Sequence, residues 1–493
     1  MNRLTFIILV VIETILIIVA KWPNIMYFQA YAFGDQGANL TIFHLLKNGW
    51  IPTIDFNYIY GLLAILFNEF IFICFGCTPL VYAITTSILS VVLVIILAII
   101  ITHPKTCLSE QFLFMAALPF VIYQMPPLSF AHILESIFIS LAIYMQIRNK
   151  IQIALLFIII SVSVKPALGY VYGLLLSLQL ISYGIRENKS FIEVVYKFLP
   201  SVFIILLVLV ILSIRYGITP LLNTLLPFNA QQVYKYENFG FFTGQGRIFW
   251  NPPGANYRYY LGNPVGFWLV ATIVLNIAIF IIIIKYTNYV YMKYVVISIS
   301  VLHNIFIFIA FGHNYSWTYY MYLLIIGTIL LIKYTKSNKL YFILLILAIM
   351  GNYAEFRGII HMWKNRDNYK SLNNMYSTKD FIIEWLKILN ISNERRTFML
   401  TYIGALFIIE PNIDSTHAWC LYHWMATPTE KIDLIKRIGH AQVVIIPMHN
   451  IGVRHLPESG KWVADILSEF PYVTELKHFR ILSRTPLSIK HGD

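Results

Sequence analysis

Charge is scarce in this sequence. Of its 493 residues only 12% are Asp, Glu, Lys or Arg, whereas 58% are hydrophobic and 16% aromatic. A soluble chain of this length would divide into about three domains and cover them with polar side chains. A mean hydropathy of +0.70 excludes that division, and the apolar runs recur until about residue 350, too far for a single anchor helix. Cysteine is scarce too. The four present, Cys74, Cys77, Cys107 and Cys420, exclude a disulfide framework. Cys74 and Cys77 form a C-x-x-C pair in an apolar stretch with no second Cys/His pair at zinc spacing, so they read as packing. There is no internal repeat and no dense basic block. The net charge of +13 is scattered among apolar segments, which argues for membrane topology and against nucleic acid.

What is present is a series of apolar spans, at about 4–20, 80–102, 111–124, 131–147, 151–164, 167–183, 199–214, 264–284, 294–311, 317–332 and 340–354. The expected fold is therefore mainly α, a polytopic membrane bundle of about 11 transmembrane helices with a C-terminal α/β domain outside the membrane. The first run follows Arg3 and ends at Lys21-Trp22-Pro23 without a small-residue cleavage site, so it reads as a retained helix. Residues 61–76 are apolar but short and carry Asn68-Glu69 in their middle, which predicts an interfacial or re-entrant helix. With the N-terminus in the cytoplasm, twelve Lys and Arg then face the cytoplasm and seven lie in the opposite loops, the bias that membranes favour. Counting 61–76 as a full span would invert everything after it and place Arg148-Asn149-Lys150 outside. The chosen parity puts the loop 21–79, the loop 215–263 and the tail on the extracytoplasmic face of a cell membrane.

Two domains are expected, a membrane domain over 1–351 and an extracytoplasmic α/β domain over 352–493, where fourteen of the twenty-three acids gather. In the tail, helices are expected near Thr378 to Leu389, near Thr429 to Ile438 with Thr427 or Thr429 as cap, and over Pro457 to Glu469. Extended segments are expected at Thr397 to Tyr402 and Gln442 to Pro447, and Tyr472 to Glu475 with His478 to Ser483 reads as an edge hairpin. No Gly-rich phosphate loop opens any of these helices, so a nucleotide site there is not expected.

The first outside loop carries two acids, Asp35 and Asp55. Locally, Asp35 reads as a cap for a helix begun by Gly37-Ala38-Asn39 and Asp55 as a turn residue. The loop as a whole offers more. Gly34-Asp35-Gln36-Gly37, a helix, Asn48-Gly49-Trp50-Ile51-Pro52, Asp55-Phe56 and Tyr60-Gly61 together resemble the first loop of the GT-C (C-type) membrane glycosyltransferases, such as protein mannosyltransferases and lipid A aminoarabinose transferases. Two departures stand out: Gln36 where many members have a second acid, and Leu62 where many have Pro. The resemblance implies that Asp35 is the catalytic or substrate-orienting carboxylate. It extends, less specifically, to Leu118-Pro119, to Glu135 as a second acidic position, and to Lys165-Pro166 as a basic, phosphate-contacting position.

That chemistry is coherent. A polyprenyl-phosphate sugar presents its phosphate at the membrane surface, so transfer needs a carboxylate to take the acceptor's proton and a cation to stabilise the departing phosphate. Asp35 and Lys165 would supply them, with Asp55, Glu135, Arg247, Arg258 and His313 as further substrate-binding candidates. Each also has a plain structural reading. Lys165 is placed to snorkel, Glu135 to pair with His132 one turn earlier, and His313 to make an ordinary hydrogen bond. The loop bearing Arg247 and Arg258 has eleven aromatics, which suit either sugar stacking or an interfacial belt. Glu13, in mid-helix, is expected to face the bundle, protonated or hydrogen-bonded. The expected partners are the lipid-linked donor, a glycan, lipid or protein acceptor, and membrane lipids. No cofactor is expected, and a divalent metal is not indicated. The competing classes are a lipid-linked glycan flippase or transporter and a polysaccharide polymerase or ligase. Inverted repeats and broken helices would mark the transporter.

Overall fold

In a computed structural model of the chain, the residues described are 3–26, 34–101, 130–166, 168–186, 191–196, 199–226, 294–295, 297–302, 379–400, 406–417, 426–447 and 463–487, with isolated positions between 323 and 364. The expected spans at 111–124, 264–284 and 340–354 lie outside them. The membrane part opens with α1 (Arg3–Met26), α2 (Gly34–Lys47), α3 (Leu62–Phe75) and α4 (Pro79–Ile101). It continues with α5 (Phe130–Ile147), α6 (Ile151–Val164), α7 (Leu168–Arg186), α8 (Phe191–Tyr196), α9 (Leu199–Tyr216) and α10 (Ile218–Leu225). Among the described residues, α4, α5 and α9 are long and apolar enough to cross a membrane, and α6 is apolar but shorter. Apolar side chains such as Ile8 and Val11 of α1, Leu174 of α7 and Phe203 and Ile214 of α9 point outward, as a lipid-facing surface requires. Glu13 faces inward as expected, fully buried, and among the described residues neither carboxyl oxygen has a hydrogen-bond partner.

The placement of α3 decides the parity of the chain. At its start the Gly61 amide donates to the Val164 carbonyl at 2.8 Å, at the C-terminal end of α6. Halfway along, Glu69 forms an ion pair with Arg215 and accepts a 2.5 Å hydrogen bond from the Tyr216 hydroxyl, both at the C-terminal end of α9. Near its end Phe72 lies 6.1 Å, ring to ring, from Phe130, the first residue of α5, and Tyr82 in the first turn of α4 lies 4.7 Å from the same ring. The helix therefore begins and ends at one end of the bundle without crossing it. The acid in its middle, unfavourable in a true span, is matched by a cation at that level.

At the far end, α5 turns into α6 through Arg148-Asn149-Lys150. Asn149 sits at φ 58°, a left-handed conformation that Asn tolerates. Between α5 and α7, Gln146 donates to Gln179 at 2.6 Å and accepts from the Tyr172 hydroxyl at 2.6 Å, a buried polar contact that fixes the two helices in register.

The tail forms α11 (Lys379–Glu394), β1 (Thr397–Met399), α12 (Leu406–Ile409), β2 (Ile413–Ser415), α13 (Pro428–His440), β3 (Val443–Pro447), α14 (Ala464–Leu467), β4 (Tyr472–Glu475) and β5 (Phe479–Ser483). The sheet order is β2-β1-β3-β5-β4, with β2, β1 and β3 parallel and β5 antiparallel to both β3 and β4. The two faces alternate by residue, as strand geometry demands. Phe398, Val444 and Leu482 pack with Leu434 and Ile438 of α13. Met399, Val443, Ile445 and Ile481 join a second core that contains Trp385 of α11 and, from the membrane part, Tyr58, Tyr60 and Leu62. One face of the sheet is thus continuous with the first loop.

Gly61 is required by that close approach. A Cβ there would collide with the Ser163 carbonyl, which belongs to backbone and cannot swing aside. Gly61→Ala is expected to lower stability by about 1–3 kcal/mol, as overpacking does, and to loosen the loop. Thermal unfolding of the purified variant against wild type measures it.

Candidate active site

The first loop is built by its own sequence. α2 ends in a Schellman motif: Gly49 takes φ 82°, its amide donates to Leu46 O at 3.0 Å, and the Trp50 amide donates to Leu45 O at 3.0 Å. The chain then folds over itself. Asp55 accepts from the Ile51 amide at 2.8 Å, and the Thr53 amide donates to Phe56 O at 2.8 Å. Thr53 has φ 62°, a strained value for a β-branched residue, and its hydroxyl accepts from Asn223 at 3.3 Å. Phe56, Tyr58 and Tyr60 are buried, and burial pushes the Tyr58 hydroxyl above its usual range.

Where this loop reaches α6 it meets two of the predicted site residues. Lys165 Nζ stands 3.4 Å from Glu135 Oε2, with the Lys side chain 13% exposed and the Glu side chain fully buried. Lys165 also lies 6.0 Å from the Tyr60 ring centroid, and Tyr60 packs edge-on against His132 at 5.1 Å. Glu135 accepts in addition from the Leu168 amide at 3.4 Å, the first residue of α7. A carboxylate at a helix N-terminus next to an ammonium group satisfies both the helix dipole and the cation. Glu135 thus has Lys165 as a charge partner, and the His132 ring packs on Tyr60. The flexible lysine stem brings the ammonium across from the end of α6.

Asp35 falls in the first turn of α2, which begins at Gly34, three residues before the start expected from Gly37. It is thus inside the helix and not its cap, and its side chain lies outside the described residues. α2 is anchored at the same end of the bundle, because Asn68 of α3 donates to Asn39 O at 2.7 Å and Asn39 donates to the Tyr82 hydroxyl at 3.4 Å. Arg247, Arg258 and His313 lie outside the described residues.

Asp55 turns toward the tail. Its carbonyl accepts from the Thr427 hydroxyl at 2.6 Å, and its carboxylate accepts from Thr429 at 3.4 Å. A second contact joins α2 to the end of β2: His44 packs on Phe407 at 4.9 Å, and His417 packs on both Phe407 at 5.8 Å and Trp50 at 5.7 Å. His417 is buried, and burial with the nearby Arg437 charge holds its pKa well below 6.5. Arg437 is itself held by Asp414 and Asp433, each at 2.7 Å. The sequence reading missed this junction, as it missed the Glu69 to Arg215 pair. The second was signalled by two opposite charges, Glu69 in the middle of a short apolar run and Arg215 at the end of another. The first had no local signal, since its partners are more than 350 residues apart in the chain.

No protein-family model matches this chain, and no curated protein matches it. Among solved structures, the crystal structure of ArnT from Cupriavidus metallidurans bound to undecaprenyl phosphate is similar over 100% of both chains, at 8% identity and a TM-score of 0.45.

Two expectations follow from the geometry. Lys165→Met and Glu135→Gln should each destabilise the protein by about 3–5 kcal/mol, because either removes one charge of a largely buried pair, and the double variant should recover part of that loss. A double-mutant cycle on thermal unfolding measures the coupling. His417, with its folded pKa depressed, contributes stability that is complete above pH 6.5 and is lost as the pH falls below it. His417→Phe should flatten this acid limb in a stability profile from pH 7 down to about 5.

Proposed function

We propose that this protein is a membrane glycosyltransferase that moves a sugar from a polyprenyl-phosphate donor to an extracytoplasmic acceptor, with inversion at the anomeric carbon. One observation carries the reading. The loop with the glycosyltransferase-like motif is hydrogen-bonded, through Gly61, to the end of α6 that presents Lys165 and Glu135. An acid-bearing loop and a cation thus meet at one end of an apolar bundle, where a lipid phosphate would arrive.

In this mechanism Asp35 accepts the proton of the acceptor hydroxyl as its oxygen attacks the anomeric carbon. The bond from that carbon to the phosphate oxygen breaks on the opposite face. An ammonium has three donors, so Lys165 can keep Glu135 and still offer a proton to the departing phosphate. Glu135 fixes where that ammonium points. Asp55 shapes the loop, and Arg247, Arg258 and His313 are assigned to the donor phosphate and sugar from the opposite loops. The domain after residue 352 covers this end and limits acceptor access. The site faces the extracytoplasmic side of the cell membrane, with the N-terminus in the cytoplasm.

Asp35→Asn should reduce transfer by about 10²- to 10⁴-fold, the usual contribution of a general base, while thermal stability stays close to wild type. Turnover and unfolding measured on the same preparation separate a catalytic loss from a folding loss. Loss of both together would return Asp35 to a structural role.

A further inference from the structure

Glu430 takes no part in the chemistry above, yet it is 4% exposed and stands where the tail meets the first loop. It belongs to a capping box: the Thr427 hydroxyl accepts from the Glu430 amide at 3.1 Å, and Glu430 Oε2 accepts from the Thr427 amide at 2.9 Å. A cap needs nothing more, but both members also reach the loop. The Thr427 hydroxyl donates to Asp55 O, and Glu430 Oε2 accepts from the Asn57 amide at 3.4 Å. One box therefore closes a helix and clamps a carbonyl and an amide two residues apart on a distant segment. That segment lies between the strained Thr53 and the buried Tyr58 and Tyr60, which lead to Lys165. Strain of this kind persists only where surroundings hold it.

We propose that Glu430 is a positioning residue of the transfer site: from the tail, it sets the course of residues 55–60 and so the place of Tyr60 against Lys165. The kinetic part of this inference rests on the transfer reading; the structural part does not. Burial raises the Glu430 carboxyl from 4.5 to about 8, and Asp433, one turn on in α13, pushes the same way. Asp55, across the junction and bonded to Thr429, is the acid that faces it from the loop. Undocking returns Glu430 to water, so docking favours its protonated form. Its contribution is complete below about pH 4.5 and is lost as the pH rises to about 8, up to tenfold per pH unit for one proton. His417 acts oppositely, below pH 6.5, so the window from 6.5 to 8 isolates Glu430.

The test is hydrogen exchange over residues 51–60 in the full-length protein in lipid nanodiscs, corrected for intrinsic exchange, beside kcat and KM for a polyprenyl-phosphate sugar. In wild type, protection should fall between pH 6.5 and 8. Glu430→Gln, which keeps the cap and cannot ionise, should hold protection level across that window. Glu430→Ala should lose protection throughout, and its kcat should fall with donor KM changed by less than about twofold. Protection unchanged in Glu430→Ala, or a glutamine variant that retains the pH dependence, would overturn the proposal. Lost protection with unaltered kcat would overturn it as well. Because exchange needs no substrate, the expected protection pattern in a protein that transfers no lipid-linked sugar would support the clamp and refute the transfer reading.

Discussion

The backbone contact between Gly61 and the end of α6 is the constraint on which the rest depends. It needs a residue without a side chain, and it joins three things that are distant in sequence: the motif-bearing loop, the Lys165 to Glu135 pair, and the start of α3. From that point α3 cannot dive through the bundle, because Glu69 is tied to Arg215 at the same end. The chain therefore enters α4 from the side where α3 began, and among the described residues α5, α6, α7 and α9 also begin or end there. A single close approach thus links local loop geometry to the arrangement of the membrane helices.

The tail shares a core with the first loop. Phe56, Tyr58 and Tyr60 belong to the same apolar cluster as Met399, Ile445 and Phe479, so the tail sheet is packed against the loop and not tethered to it. Burying this face required polar groups of the loop to find partners, and the start of α13 supplies them. Glu430 and His417 are both kept neutral by burial at neutral pH, with opposite pH dependences that offset each other from about pH 4.5 to 6.5 and leave Glu430 to weaken docking above it.

Much of this was legible in the sequence. The spans at 131–147 and 151–164 coincide with α5 and α6 almost residue for residue, because apolar length and the Arg148-Asn149-Lys150 break define them without ambiguity. The short helix at 61–76, the Thr427 cap and the strands at 443–447 and 472–475 were equally readable from composition and spacing. What was not legible is instructive. β2 is three residues, Ile413-Asp414-Ser415, too short and polar to show a period, and exists because β1 offers a parallel edge. α11 runs to Glu394, past the expected Leu389, and Ile391 in the added turn packs against the same core as Trp385 and Ile388. At the site, Lys165 and Glu135 were each identifiable alone, but their pairing depends on how α5, α6 and α7 pack. Asp55 holds the expected turn through the Ile51 amide, while its further contacts with Thr427 and Thr429 had no local signal.

The most direct measurement of the central claim is release of polyprenyl phosphate by the purified protein in nanodiscs, supplied with a panel of polyprenyl-phosphate sugars and a mixed glycan, lipid and protein acceptor pool. The account predicts that at least one donor is consumed, with polyprenyl phosphate appearing in step with a glycosylated acceptor of inverted anomeric configuration. No release from any donor, together with movement of an intact lipid-linked glycan across the bilayer, would contradict it and assign the protein to transport.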